Sequence, residues 1–371
     1  MRQIFLTVFC LLLTVAGKAQ TALPSHKTEN VIIVMTDGLR WKEVFRGAEP
    51  SLVEAIGDER ERAEVRRTFG QATPEARREA LMPFVWTTLA RQGQLFGNRD
   101  KNSTSRVTNG KNFSYPGYSE TLCGFADDRV DSNAKRPNPN VTVFEWLNGM
   151  PQYRNRVAAF AAWDVFPFIL NTERSGLLVN AGFDPLTTGK MTPNIALLNR
   201  LKAETPPKWD AEPWDSFTFY TALEYLRENK PRVLYVSLGE TDEWAHEGNY
   251  AEYLKAAHRA DGYLKQLYDV LQTLPQYRGK TSLIFLPDHG RGDAPDGWKS
   301  HGAQLTESQF TWMAFLGPDT QPRGERANVP TVEQNQIAAT LAAFLGEDYR
   351  KSVPNAGKPV VDVLPTTSTV Q

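Results

Sequence analysis

Five consecutive apolar residues, Val31-Ile32-Ile33-Val34-Met35, run directly into Thr36-Asp37-Gly38. A short, mostly β-branched run with no polar alternation reads as a strand buried on both faces, as in a parallel sheet covered by helices. Gly38 permits a sharp turn after it. The strand therefore delivers one carboxylate to the C-terminal edge of a sheet, where open α/β folds place their ligands. Two later segments repeat the device. Val233 to Leu238 ends at Gly239-Glu240-Thr241-Asp242, and Ser282 to Leu286 ends at Pro287-Asp288-His289-Gly290.

Further strands are expected at residues 94–98, 157–162, 176–179 and 310–316. A short helix or turn is expected within 39–50, where Trp41 and Phe45 share a face. The charge-alternating stretches 59–67 and 74–80 suit solvated helices. Residues 141–147 resume apolar periodicity behind Thr142, a candidate cap. Residues 250–271 carry a long apolar face, and 331–345 read as a closing helix capped by Thr331 and stopped by Gly346. Strands alternating with helices predict an α/β fold, a mostly parallel sheet sandwiched by helices in a single domain over residues 20–371.

The N-terminus places Arg2 before an apolar run from Ile4 to Ala16, then Gly17-Lys18-Ala19. This predicts a signal peptide over residues 1–19, with no membrane anchor after cleavage and a periplasmic or secreted mature chain. Of the two cysteines, Cys10 falls in that segment and only Cys123 remains, so no internal disulfide is expected. With 371 residues, 41% hydrophobic and 23% charged, the chain has ample core. A net charge of −1 and the absence of a basic stripe argue against a nucleic-acid polymer as partner.

The chain has five histidines, and three fall near the acidic strand ends or in a glycine-bracketed loop. His246 follows Asp242 by four residues, which places both on one face of a helical turn. His289 adjoins Asp288, and His301 lies in Trp298-Lys299-Ser300-His301-Gly302. Carboxylate and neutral imidazole are ligands for zinc-class ions. Six such groups (Asp37, Asp242, His246, Asp288, His289, His301) exceed the needs of one open catalytic zinc and suit two divalent ions, which can clamp an in-line displacement. Zn²⁺ is the favoured ion, with Mn²⁺ or another transition metal as alternatives. His26 and His258 fit no such pattern.

Taken in order, Thr36-Asp37-Gly38, Ser114-Tyr115-Pro116, Asp242-x-x-x-His246, Asp288-His289-Gly290 and His301 resemble the alkaline phosphatase superfamily, in particular its nucleotide pyrophosphatase/phosphodiesterase-like branch. The resemblance implies one ion held by Asp242, His246 and His301. It implies a second held by Asp37, Asp288 and His289, with Ser114 bridging toward it. Ser114 stands at the family's nucleophile position, which implies a covalent phosphoryl intermediate. Tyr115 stands where the branch has an aromatic residue able to stack on a nucleobase. Asn133 is the candidate for an Asn that holds a phosphoryl oxygen, and Arg291 a candidate phosphate clamp. The implied activity is metal-dependent hydrolysis of a small-molecule phosphate ester, with a slight preference for diesters.

Rival readings are a phosphomonoesterase, a phosphoglycerate-mutase-like enzyme, a sulfatase and a non-catalytic binding protein. The sulfatase pattern needs Arg where Tyr118 stands. The mutase needs a large inserted domain, for which residues 115–241 leave little room. A dead binding protein would be expected to have lost a ligand or the nucleophile, and all seven positions are intact.

Overall fold

The β-branched runs of the sequence become the strands of a central sheet in the computed structural model, which describes residues 26–365. The signal-peptide segment 1–19 and Cys10 lie outside the described residues. Residues 26–365 form one compact unit. The strands in chain order are β1 (Asn30–Thr36), β2 (Gln94–Phe96), β3 (Ser105–Arg106), β4 (Val157–Ala161), β5 (Leu178–Ala181), β6 (Val233–Leu238), β7 (Thr281–Pro287), β8 (Phe310–Thr311), β9 (Met313–Leu316), β10 (Gly324–Glu325) and β11 (Val332–Glu333).

Eight strands form the main sheet in the order β10-β2-β9-β7-β1-β6-β4-β5. From β7 to β5 every neighbour is parallel. Only β9 runs against the rest, pairing antiparallel with β7 and with β2. β11, β3 and β8 make a separate small sheet.

β1 sits at the centre, paired with β6 on one side and β7 on the other. Its alternate residues feed two different cores. Ile32 and Val34 pack into a layer with Leu254, Leu264 and Trp312, whereas Val31, Ile33 and Met35 pack into one with Tyr235, Phe144 and Leu341. Burial on both faces is why the strand carries no polar alternation. The helices Asp215–Asn229 and Tyr250–Thr273 cover the first face. Ser114–Cys123, Val143–Asn148 and Ile337–Phe344 cover the second. Thr142 caps Val143–Asn148 through the N–H of Glu145 at 3.2 Å.

Two expected elements change in kind. The closing helix starts at Ile337 rather than behind Thr331, because Val332 and Glu333 pair with β3 as strand β11. The stretch 310–316 is two strands in different sheets, broken at buried Trp312, whose indole N–H donates to the Leu39 carbonyl at 3.0 Å.

Candidate active site

The C-terminal ends of β1, β6 and β7 lie side by side, so Asp37, Asp242 and Asp288 converge at one edge of the sheet. Asp288 is fully buried and Asp37 nearly so. Asp288 Oδ1 accepts the backbone N–H groups of Gly38 (3.1 Å) and His289 (2.9 Å). Asp37 Oδ2 accepts the hydroxyl of Tyr118 at 2.9 Å. The remaining oxygens, Asp37 Oδ1 and Asp288 Oδ2, are buried without a hydrogen-bond partner among the described residues.

Those two oxygens face His289. Its Nδ1 lies 2.8 Å from the Gly290 carbonyl, which can only accept, so Nδ1 carries the proton and Nε2 presents a lone pair. That Nε2 is 3.2 Å from Asp37 Oδ1, 3.5 Å from Asp288 Oδ2 and 3.4 Å from Ser114 Oγ. Acceptors therefore point at acceptors in a dry pocket, an arrangement that is costly until a cation or proton enters it. Burial holds His289 near neutral imidazole, with its pKa lowered to about 4, while burial and Asp242 push the Asp37 carboxyl up to about 7.

A second set of donors adjoins the first. The helix Glu240–His246 begins directly after β6 and carries Asp242 and His246 on one face, 3.0 Å apart between Oδ2 and Nε2. His301 Nε2 is 3.0 Å from His246 Nε2 and 3.6 Å from Asp242 Oδ1. Its Nδ1 points to the Asn112 carbonyl at 3.3 Å, which again turns Nε2 toward the site. Burial and His289 lower its pKa to about 3. The donor atoms of Asp37, Asp288 and His289 lie within 4.8 Å of one another, as do those of Asp242, His289 and His301. The six predicted groups are thus together, with His289 within reach of both sets. Two neutral imidazoles with inward lone pairs and orphaned carboxylate oxygens fit divalent ions.

Ser114 opens the helix Ser114–Cys123 and is buried beside His289. Sequence patterning gives no sign of this helix, since the segment is buried on all sides and shows no stripe. Gly117 lets the helix approach, because a Cβ there would lie 2.5 Å from the Asp288 carbonyl oxygen. Asn133 Oδ1 accepts the Tyr115 N–H at 3.0 Å, which places the Asn133 amide at the same helix end.

Two substrate-binding expectations require correction. Tyr115 is only 3% exposed, tucked beneath the 127–140 loop, with its hydroxyl 2.7 Å from the Arg136 carbonyl and 3.1 Å from that of Phe168. It is a packed residue rather than an open stacking platform. Arg291 is buried too. Its guanidinium pairs with Asp242 Oδ1 and donates at 2.7 Å to the carbonyls of both Trp298 and Lys299, so it is not a free phosphate clamp.

Tyr118 is a site-forming residue that the motifs leave out, and Gly38 serves the site beyond the turn that the sequence assigns to it. Tyr118 lies one helical turn after Ser114 and is readable only once that helix is known. Gly38 has φ +57°, and a Cβ there would lie 2.7 Å from Arg291 Nη1 and 2.8 Å from Asp242 Oδ1.

The fold has relatives among solved structures. The alkaline phosphatase PafA aligns over 92% of this chain and 100% of its own, with a TM-score of 0.59 and 11% identity. An alkaline phosphatase superfamily protein from Vibrio parahaemolyticus aligns over 91% and 71% (TM-score 0.53, 14% identity), and a 2-O GAG sulfatase over 93% and 76% (TM-score 0.52, 13% identity). No curated protein sequence matches the chain. The architecture is therefore alkaline-phosphatase-like. Residues 64–314 match the family described as type I phosphodiesterase / nucleotide pyrophosphatase, and the chain belongs to that family of hydrolases.

Proposed function

We propose that the protein is an exported, two-metal hydrolase of phosphoric diesters that uses Ser114 as nucleophile. The observation that carries this reading is the inward-facing acceptor set around His289, two orphaned carboxylate oxygens and a lone pair, with the Ser114 hydroxyl 3.4 Å away. Asp37, Asp288 and His289 would hold one ion, with Ser114 beside it, and Asp242, His246 and His301 the other. Divalent ions there would supply Lewis-acid polarisation of the phosphoryl oxygens and lower the cost of ionising the serine hydroxyl.

The chain's own residues do the rest. Ser114 Oγ attacks phosphorus, the ester oxygen leaves with its alcohol, and water later hydrolyses the phosphoseryl ester. The N-terminal end of the helix Ser114–Cys123 favours the negative charge that gathers there. The Asn133 amide stands beside it as a donor for a phosphoryl oxygen. Tyr118 holds Asp37 in place through Oδ2, so that only Oδ1 faces His289. The diester assignment rests on family membership. Export rests on the signal-like residues 1–19.

The test is turnover of chromogenic diesters, monoesters, phosphonates and sulfates by chelated and zinc-reconstituted protein. Diester hydrolysis that disappears with chelation and returns with zinc is the expected result. Turnover of monoesters but of no diester would reject the diester reading while leaving the metal site intact.

A further inference from the structure

We infer that the two donor sets bind their ions with unequal affinity and that Arg291 sets the difference, so that the enzyme passes through a half-loaded state when metal is scarce. The inference rests on the two-metal reading above and extends it to loading.

The two sets differ in charge and in access. As ligands, which bind an ion only in their deprotonated forms, Asp37 and Asp288 bring two negative charges beside His289, all deeply buried, with two carboxylate oxygens that no other group satisfies. In the same ligand forms Asp242, His246 and His301 bring one negative charge, and the Arg291 guanidinium on Asp242 Oδ1 offsets it. A cation is therefore drawn into the first set by net charge and enters the second against none. His246 is also 43% exposed, whereas His289 is fully buried, so the second set is partly hydrated and better screened.

Arg291 cannot step aside without loss. Its Nε donates to the Trp298 carbonyl and its Nη2 to the Lys299 carbonyl, and the guanidinium is out of solvent. The same two carbonyls belong to the stretch that leads into His301. Arg291 thus ties the His301 loop to Asp242, ordering the second set geometrically while weakening its pull on a cation. It leaves Asp242 Oδ2, already turned to His246 at 3.0 Å, as the oxygen open to an ion. Arg291 is a positioning residue here, acting through Asp242 and His301.

Full-length protein stripped by a chelator and titrated with zinc against a chromophoric competitor should show two phases at least a hundredfold apart. Cobalt titration, followed by its visible bands, should fill the same sites in the same order. Asp37→Asn should remove the tight phase, and His246→Ala the weak one. Arg291→Gln should tighten the weak phase at least tenfold and leave the tight phase unchanged, whereas Arg291→Lys, which keeps the charge, should stay near the parent. Two ions bound within threefold of each other overturn the inference, as does an Arg291→Gln protein with an unchanged weak phase. If Arg291→Gln does not fold, loss of the weak phase in Asp37→Asn overturns it equally well. Protein that binds no ion sinks the two-metal reading itself.

Discussion

Gly38 occupies a point where Arg291, Asp242 and His289 crowd the end of β1, and its φ of +57° suits glycine. Gly38→Ala should cost about 1–3 kcal/mol of stability and displace Asp242, so thermal melting and zinc stoichiometry should fall together. Full zinc content at an unchanged melting temperature would show that the pocket yields more readily than its geometry suggests. Ser114 gives a cleaner separation of chemistry from scaffold. Ser114→Ala should keep fold and metal yet lose about a thousandfold or more in kcat, while Ser114→Thr retains a measurable fraction. Near-parental turnover by Ser114→Ala would move the nucleophile elsewhere. That the carboxylates, histidines and Ser114 meet at one edge of the sheet was legible in the sequence, because short motifs mark them at strand ends and turns. Tyr115 and Arg291 were misread because their partners are backbone carbonyls and a distant carboxylate, which no local pattern reveals.

At the level of elements, the loop that precedes Ser114 is held from behind by the helix that Ser114 begins. Glu120, fully buried, accepts the N–H groups of Thr108 (2.8 Å) and Asn109 (3.0 Å), the Thr108 hydroxyl (2.8 Å) and the Asn109 amide (2.8 Å). Asn109 in turn accepts the N–H groups of Lys111 (2.8 Å) and Asn112 (2.9 Å), and the Asn112 carbonyl meets His301. Glu120→Gln places an amide N–H against donors, so about 1–3 kcal/mol should be lost along with the orientation of His301. Melting and zinc affinity measured on the same preparation check it; a drop in melting alone would confine Glu120 to scaffolding. The doubly buried strands were legible as unbroken apolar runs. The helices Pro193–Glu204 and Asp215–Asn229 were not. The first buries only Ile195 and Lys202, leaving no stripe to read. The second is buried over much of its circumference, polar residues included, which blurs the period.

For the whole molecule, ion binding and folding are one equilibrium. An ion at about a thousand times its dissociation constant adds roughly 4 kcal/mol, so chelation should lower the melting temperature by several degrees. The size of that gap depends on pH in a defined direction. Without an ion the Asp37 carboxyl retains its proton up to about pH 7, and an ion must displace it. His289 and His301, held near 4 and 3, carry no proton to displace above pH 5. Burial also raises the Asp288 carboxyl and the Asp242 contact raises His246, so zinc affinity should climb with pH from 5 through at least 7, with proton release accompanying binding over that range. Calorimetry in two buffers of different ionisation enthalpy reads both quantities. A pH-independent affinity across this range would mean that Asp37 is already ionised.

The central place of β1 also governs how the chain comes into being. Val31 pairs with Val233 and Ser282, so the first strand made must wait for partners near the far end of synthesis. Contacts this distant in sequence close late and slowly. A nascent chain that has not reached β7 has one side of its central strand bare and only part of its donor set. It offers no finished donor set to an ion. The site closes only when the last third of the polypeptide has been made.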